Sequence, residues 1–177
     1  PKTIPCSSNY RQKPNYNGKT KQFQMIQSYL DKLGQSGGTL KLKKGTYKIP
    51  GTLSVPSNVT IELKPGAKLK KTTATGTSKI KATKTMLQTV SSGKAAQKRT
   101  VSKYTSSKKV TIKGSGKATI DLGKVKGATA LYIGHASNIK VNGITFKNKK
   151  GGSYVWIEGS QNVTIKKCVF QKGVDQS

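Results

Sequence analysis

Along the 177 residues the apolar positions change period twice. Up to about Lys19 they have no period. Pro5, Pro14, Asn15, Asn17 and Gly18 punctuate a polar stretch, which predicts an extended N-terminal arm over residues 1–19. Phe23, Ile26, Leu30 and Leu33 then recur at spacings of three and four, the pattern of one amphipathic helix, expected over about 22–34 and stopped at Gly34. Past Gly37-Gly38 the period falls to two. Leu40 and Leu42 alternate with polar residues into Gly45-Thr46-Tyr47, and Asn58-Val59-Thr60-Ile61-Glu62-Leu63 repeats the alternation before a Pro65-Gly66 turn. A Lys-, Thr- and Ser-rich stretch over about 68–107 has few apolar residues, among them Ile80, Met86, Leu87 and Val90. It reads as a long excursion between coils, with room for one short strand. Alternation returns at Val110 and Ile112, then at Ala118, Ile120 and Leu122.

The C-terminal third repeats itself. Ala130-Leu131-Tyr132-Ile133-Gly134 is in phase with Tyr154-Val155-Trp156-Ile157-Glu158, Asn138-Ile139-Lys140-Val141 with Asn162-Val163-Thr164-Ile165, and Ile144-Thr145-Phe146 with Cys168-Val169-Phe170. A period of about two dozen residues with three short strands in each cannot bury a face alone, but it can when one period lies on the next. This predicts an all-β fold, a parallel β-helix occupying residues 20–177 as one domain, with its regular coils over about 108–177. In that register Leu131 lies under Val155, Ile139 under Val163 and Phe146 under Phe170, about 4.8 Å apart. Asn138 and Asn162 form an amide ladder at a corner. A further step from Tyr154 would begin just past Ser177, so the expectation is a truncated solenoid whose last coil meets missing coils or another copy.

The segments Phe23 to Leu30, Gly37-Gly38-Thr39-Leu40-Lys41-Leu42 and Lys44-Gly45-Thr46-Tyr47, with the runs Asn138 to Phe146 and Asn162 to Phe170, resemble the pectate-lyase-like right-handed parallel β-helix superfamily. The resemblance implies that the amphipathic helix caps the first coil. It is specific for fold and poor for function, because this scaffold carries lyases, hydrolases, tailspikes and non-catalytic adhesins. Lyases of the superfamily are expected to use clustered carboxylates with calcium, and hydrolases paired aspartates. The acids here are Asp31, Glu62, Asp121, Glu158 and Asp175, too few and too scattered for either chemistry. His135, in Gly134-His135-Ala136, resembles a glycine-histidine-glycine motif of polygalacturonase-like hydrolases without its second glycine or its aspartates. No catalytic residue, metal or cofactor is therefore expected in this chain.

Charge changes the picture most. There are 34 Lys and Arg against 5 Asp and Glu, for a formal charge of +29. Only Arg11 and Arg99 are arginines, so the cations are point charges suited to diffuse attraction rather than to reading bases. Between Leu63 and Ile120 fifteen cations occur and no acid. The candidate polyanion contacts are Lys64, Lys68, Lys70, Lys71, Lys108, Lys109, Lys113, Lys140 and Lys166. A linear acidic polysaccharide or a wall teichoic acid fits such a surface, and nucleic acid fits it in a salt-sensitive, sequence-blind way. With Leu131, Ile133, Val155 and Ile157 facing inward, Tyr132, Tyr154 and Trp156 are expected outside beside Glu158, as an aromatic platform for sugar rings. The whole resembles the strongly basic surface proteins of Gram-positive bacteria such as lactobacilli, a secreted or cell-surface, adhesin-like module. The alternative is the N-terminal part of a polysaccharide lyase or hydrolase. No run of apolar residues is long enough to span a membrane. Two cysteines, Cys6 and Cys168, leave a single bridge between them open.

Overall fold

The computed structural model describes residues 2–4, 17–96 and 106–174. Cys6, Arg11, Arg99, Asp175, most of the expected arm and part of the Lys/Thr-rich excursion lie outside the described residues. The chain opens with β1 (Lys2–Ile4) and α1 (Lys21–Ser36) and then winds through five rungs. The first is β2 (Gly38–Leu42), β3 (Gly45–Ile49) and β4 (Leu53–Ser54). The second is β5 (Val59–Leu63), β6 (Ala67–Lys71) and β7 (Thr85–Gln88), followed by the short α2 (Ser92–Ala96). The third is β8 (Lys108–Gly114), β9 (Thr119–Asp121) and β10 (Thr129–Gly134). The fourth is β11 (Ser137–Asn142), β12 (Thr145–Lys147) and β13 (Ser153–Glu158), and the fifth holds β14 (Gln161–Lys166) and β15 (Val169–Phe170).

Equivalent strands pair in parallel from rung to rung and form three sheets. Sheet A runs β1-β2-β5-β8-β11-β14, sheet B β3-β6-β9-β12-β15 and sheet C β4-β7-β10-β13. The pairing is the one the repeat demands: Leu131 lies beside Val155, Ile139 beside Val163 and Phe146 beside Phe170. The two phenyl rings stack with centroids 5.0 Å apart and planes 7° apart. Alternation sends every second residue into a shared interior, where columns such as Leu53–Leu87–Leu131 and Tyr47–Leu69–Ile120–Phe146 are fully buried. Burying each such side chain contributes on the order of 1.5–3 kcal/mol. The column ends open. Ile157, Val169 and Phe170 belong to the last strands of their sheets and remain about half exposed, at 45%, 53% and 48%.

The helix differs from its expected bounds for a local reason. Gly34 does not stop it, because that glycine lets α1 approach Pro56, whose side chain would stand 3.1 Å from an added Cβ. The stop is Gly37, at φ 74°, whose N–H donates to the Leu33 carbonyl at 2.6 Å. Met25, Ile26, Leu30 and Leu33 are buried in the common core. Two glutamines on α1 also treat strands as a neighbouring strand would. The Gln22 side chain accepts from Lys48 N–H and donates to Thr46 C=O, both at 3.1 Å, and Gln27 accepts from Ser54 N–H at 2.8 Å and donates to Ser54 C=O at 3.1 Å. Within the expected arm, β1 pairs with β2, Thr3 opposite Lys41.

The corner leading into sheet A imposes a left-handed backbone. Asn58, Lys109, Asn138 and Asn162 occupy equivalent places with φ of 64°, 59°, 58° and 56°. Asparagine is the non-glycine residue that takes this conformation most readily. Asn162 Nδ2 donates to Asn138 Oδ1 at 3.1 Å, which is the amide ladder, and Lys109 stands in the same column without an amide.

Candidate functional site

The outward positions of the three sheets carry different chemistry. On sheet A one column reads Lys41, Glu62, Lys113, Asn142, Lys166, and the next reads Thr39, Thr60, Thr111, Lys140, Thr164. Glu62 breaks the first column, with Lys113 Nζ 3.8 Å and Lys64 Nζ 3.9 Å from its oxygens. On sheet B, Lys48, Lys70, Asp121 and Lys147 are in register. Asp121 is buried. Its carboxylate accepts from Gly123 N–H at 2.7 Å and from Asn148 Nδ2 at 2.9 Å, and Lys68 Nζ lies 3.8 Å away. Lys108 and Lys109 are exposed at the corner that opens β8, and Lys140 and Lys166 are exposed on the sheet itself.

Lys71 is not on this surface. The parity of Ala67, Leu69 and Lys71 turns it inward, where it is 1% exposed. Its ammonium donates to the carbonyls of Pro50 at 2.6 Å, Ile49 at 3.1 Å and Gly51 at 3.4 Å. Burial, assisted by the charge of Lys84, lowers its pKa to about 8. It therefore cannot meet a polymer outside. Lysines passed over in the sequence do face out: Lys41 and Lys48 alternate with buried Leu40, Leu42, Tyr47 and Ile49, and Lys147 follows buried Phe146. The same period-two pattern that marked the strands was the signal for them.

Sheet C is built otherwise. Its strands β4, β7, β10 and β13 contain no lysine. Ser54, Gln88, Tyr132 and Trp156 form one register column on it. The Trp156 ring is 50% exposed and meets Tyr132 edge-on, with centroids 6.4 Å apart at 67°. Tyr132 Oη donates to Glu158 Oε2 at 2.7 Å. Burial first, and then Glu158, push the phenol up to about 12. Tyr154 does not join the platform: it is buried, against Phe146 at 5.8 Å and Phe170 at 6.1 Å, and its hydroxyl accepts from Lys149 N–H at 3.2 Å. Alternation fails where the second, third and fourth rungs enter sheet C. Two successive residues turn in there, Met86-Leu87, Ala130-Leu131 and Tyr154-Val155, so an outward Tyr154 does not follow from an inward Val155.

The four described carboxylates stand apart, Asp31 on α1 and Glu62, Asp121 and Glu158 on sheets A, B and C. No three His, Cys, Asp or Glu side chains gather in a metal-holding group among the described residues. His135 sits at a corner with φ 51° and donates its N–H to Glu158 C=O at 2.8 Å. Cys168 Sγ lies 3.2 Å from the Lys166 carbonyl. A shallow cavity of about 380 Å³ between α1 and α2 is lined by Asp31, Gly34, Pro56, Ser91, Ser92 and Gly93. No helix among the described residues is long and apolar enough to cross a membrane.

No protein-family model matches the chain, and no curated protein is significantly similar to it in sequence. Solved structures do resemble it. An iota-carrageenase complexed to iota-carrageenan fragments superposes with a TM-score of 0.62 at 19% identity, over 85% of this chain and 33% of that one. PfbA, a surface adhesin of Streptococcus pneumoniae, gives 0.60 at 19% identity, over 85% and 35%. A glycosyl-hydrolase candidate from Parabacteroides merdae gives 0.57 at 18% identity, over 85% and 68%. The chain thus spans about a third of the length of the first two. These are right-handed β-helix proteins, a surface adhesin and carbohydrate-active enzymes among them, and at such identities the likeness establishes the fold.

Proposed function

We propose that this chain is an extracellular, adhesin-like module on a pectate-lyase-like scaffold, binding a linear acidic polysaccharide or wall teichoic acid through lysines on sheets A and B. The observation that carries this reading is the register of those lysines. Lys48 and Lys70 are direct neighbours on sheet B, and Lys41, Lys113 and Lys166 share one column on sheet A. Adjacent rungs place Lys48 and Lys70 about 4.8 Å apart, well inside the 8–10 Å over which salt leaves charges interacting, and alternate rungs place Lys41, Lys113 and Lys166 about 10 Å apart, at the edge of that range. The three lysine–carboxylate pairs that join described residues engage only Glu62 and Asp121, so most of the positive charge seeks mobile counterions, which a polyanion releases on binding. The module has no catalytic role in this reading, because each described carboxylate stands on its own face without a second one across a bond. Tyr132, Trp156 and Glu158 supply a sugar-ring platform on sheet C. The helix α1 is the amphipathic cap, with Gln22 and Gln27 standing in for a preceding rung.

Retention on immobilised polygalacturonate tests the proposal. Binding should weaken steeply with salt, and Lys41→Gln, Lys113→Gln and Lys166→Gln together should flatten the salt dependence by about three ions. Retention that ignores salt, or that the triple variant leaves unchanged, refutes it. Unsaturated products released from polygalacturonate by this chain would instead favour the reading as part of a lyase. Equal retention on duplex DNA would make the site a general polyanion surface rather than a glycan site.

A further inference from the structure

Sheet C differs from its neighbours in a way that the acidic-polymer reading does not use. Lysines stand on the strands of sheet A at Lys41, Lys113, Lys140 and Lys166, and on those of sheet B at Lys48, Lys68, Lys70 and Lys147. On a chain with 34 basic residues, the lysine-free strands of sheet C are an exception. The lysines nearest its strand starts are Lys84, immediately before β7, whose ammonium donates to the Lys126 carbonyl at 2.9 Å, and Lys126 and Lys150, whose backbones pair at the preceding corner; all three lie at the opposite end of the strands from Glu158. Lys108 and Lys109 stand around the following corner, where sheet A begins. The outward groups on sheet C itself are an amide, a phenol, an indole and a carboxylate: Gln88, Tyr132, Trp156 and Glu158.

Gln88, Tyr132 and Trp156 lie on successive rungs in one column, so they span about 10 Å along the solenoid axis. That length accommodates about two sugar rings. An exposed indole accepts the C–H face of a pyranose ring, the carboxylate near it accepts from hydroxyls, and two rungs away the Gln88 amide, which donates to Ser54 Oγ at 2.8 Å, keeps its oxygen as a further acceptor. A uronate, sulfate or phosphate at the same place would meet Glu158 and no lysine of the sheet. The opposite preference holds around both corners, on sheets A and B. Tyr132 already holds one oxygen of Glu158 in position, so the carboxylate is a fixed part of the stripe rather than a swinging side chain.

We infer that the Gln88–Tyr132–Trp156 stripe, with Glu158 at its rim, is a second glycan subsite that takes uncharged sugar rings and is separate from the lysine faces. This rests on the carbohydrate-binding reading above and adds the chemical class of ring that sheet C accepts. A polymer carrying both acidic and uncharged residues would engage both surfaces.

Trp156 is the chain's one tryptophan, so its emission reports on this stripe alone. The intact chain is titrated with uncharged hexasaccharides of gluco, xylo, galacto and manno configuration and with hexagalacturonate, at low and high salt. At least one uncharged hexasaccharide should shift Trp156 emission to shorter wavelength at either salt concentration, whereas hexagalacturonate should not shift it at high salt. Tyr132→Ala should weaken the uncharged ligand about tenfold, and Glu158→Gln should let hexagalacturonate shift the emission at low salt more strongly than it does with the parent. Polygalacturonate retention of the parent chain, measured in parallel, reports on the lysine faces independently of this emission. The inference is overturned if no uncharged hexasaccharide moves the emission, or if hexagalacturonate moves it equally at high salt. It is also overturned if Glu158→Gln changes nothing. Retention intact with any of these results sinks the second subsite alone. Retention absent from the outset sinks the parent reading.

Discussion

Lys71 offers a quantitative probe of the interior. Its pKa is lowered from 10.5 to about 8, burial being the main cause and Lys84 the lesser one. Below about pH 8 the folded and unfolded chains both hold the proton, and the folded state bears the cost of a charge taken out of water. Between about pH 8 and 10.5 the unfolded chain still binds a proton that the folded chain has released, so the contribution of this residue to stability rises with pH. Above 10.5 neither form is protonated and the gain is complete. The shift corresponds to about 3 kcal/mol. Lys71→Met removes the charge at similar volume, and two of the three carbonyls keep a backbone donor, Ile49 from Thr72 N–H at 3.3 Å and Pro50 from Thr83 N–H at 3.0 Å. The variant should therefore be more stable than the parent near pH 7, and its lead should shrink by about 3 kcal/mol towards pH 10.5. The difference between variant and parent reports on Lys71 together with its coupling to Lys84. Urea unfolding followed by circular dichroism at a series of pH values measures it. A difference between variant and parent that stays flat across that range refutes the account of Lys71.

Other outcomes follow from the same geometry. Leu131→Ala empties the middle of a fully buried column and should cost about 2–5 kcal/mol, whereas Phe170→Ala, at a half-exposed end, should cost clearly less; urea midpoints compare the two. Lys109→Asn puts the preferred residue at a left-handed corner and should raise stability by up to about 1 kcal/mol, read from the same midpoints. Glu62→Gln removes the one carboxylate from the outer face of sheet A and should raise the salt concentration needed to elute the chain from polygalacturonate. Asp121→Ala leaves Gly123 N–H and Asn148 without their acceptor and should destabilise by about 1–3 kcal/mol, seen as a lower thermal midpoint.

The register of the solenoid was legible because its evidence is redundant. Leu131 and Val155, Ile139 and Val163, and Phe146 and Phe170 each point to the same offset, and a one-residue slip would turn all of them out at once. Strand β7 was nearly hidden, since Met86 and Leu87 are its only apolar residues in a lysine- and threonine-rich stretch. What Tyr154 does could not be read from parity, because two adjacent residues turn inward where β7, β10 and β13 begin. Lys71 is the reverse case. Alternation with Ala67 and Leu69 placed it inside, and its charge argued for the surface. Three carbonyls at a corner, brought together only by the fold, decide between the two. The separation of charge between sheets was equally invisible along the chain, since it appears only once equivalent strands are laid side by side.

The strand β7 illustrates how this architecture absorbs change. Residues 72–84 leave the wall before it and α2 follows it, yet Leu87 still sits between Leu53 and Leu131 as though no detour had been taken. The wall keeps its pitch by side-chain stacking and backbone pairing, not by counting residues. Loops of any length can therefore be grafted on either side of such a strand, and new specificities can be added there while the stack beneath them is left untouched.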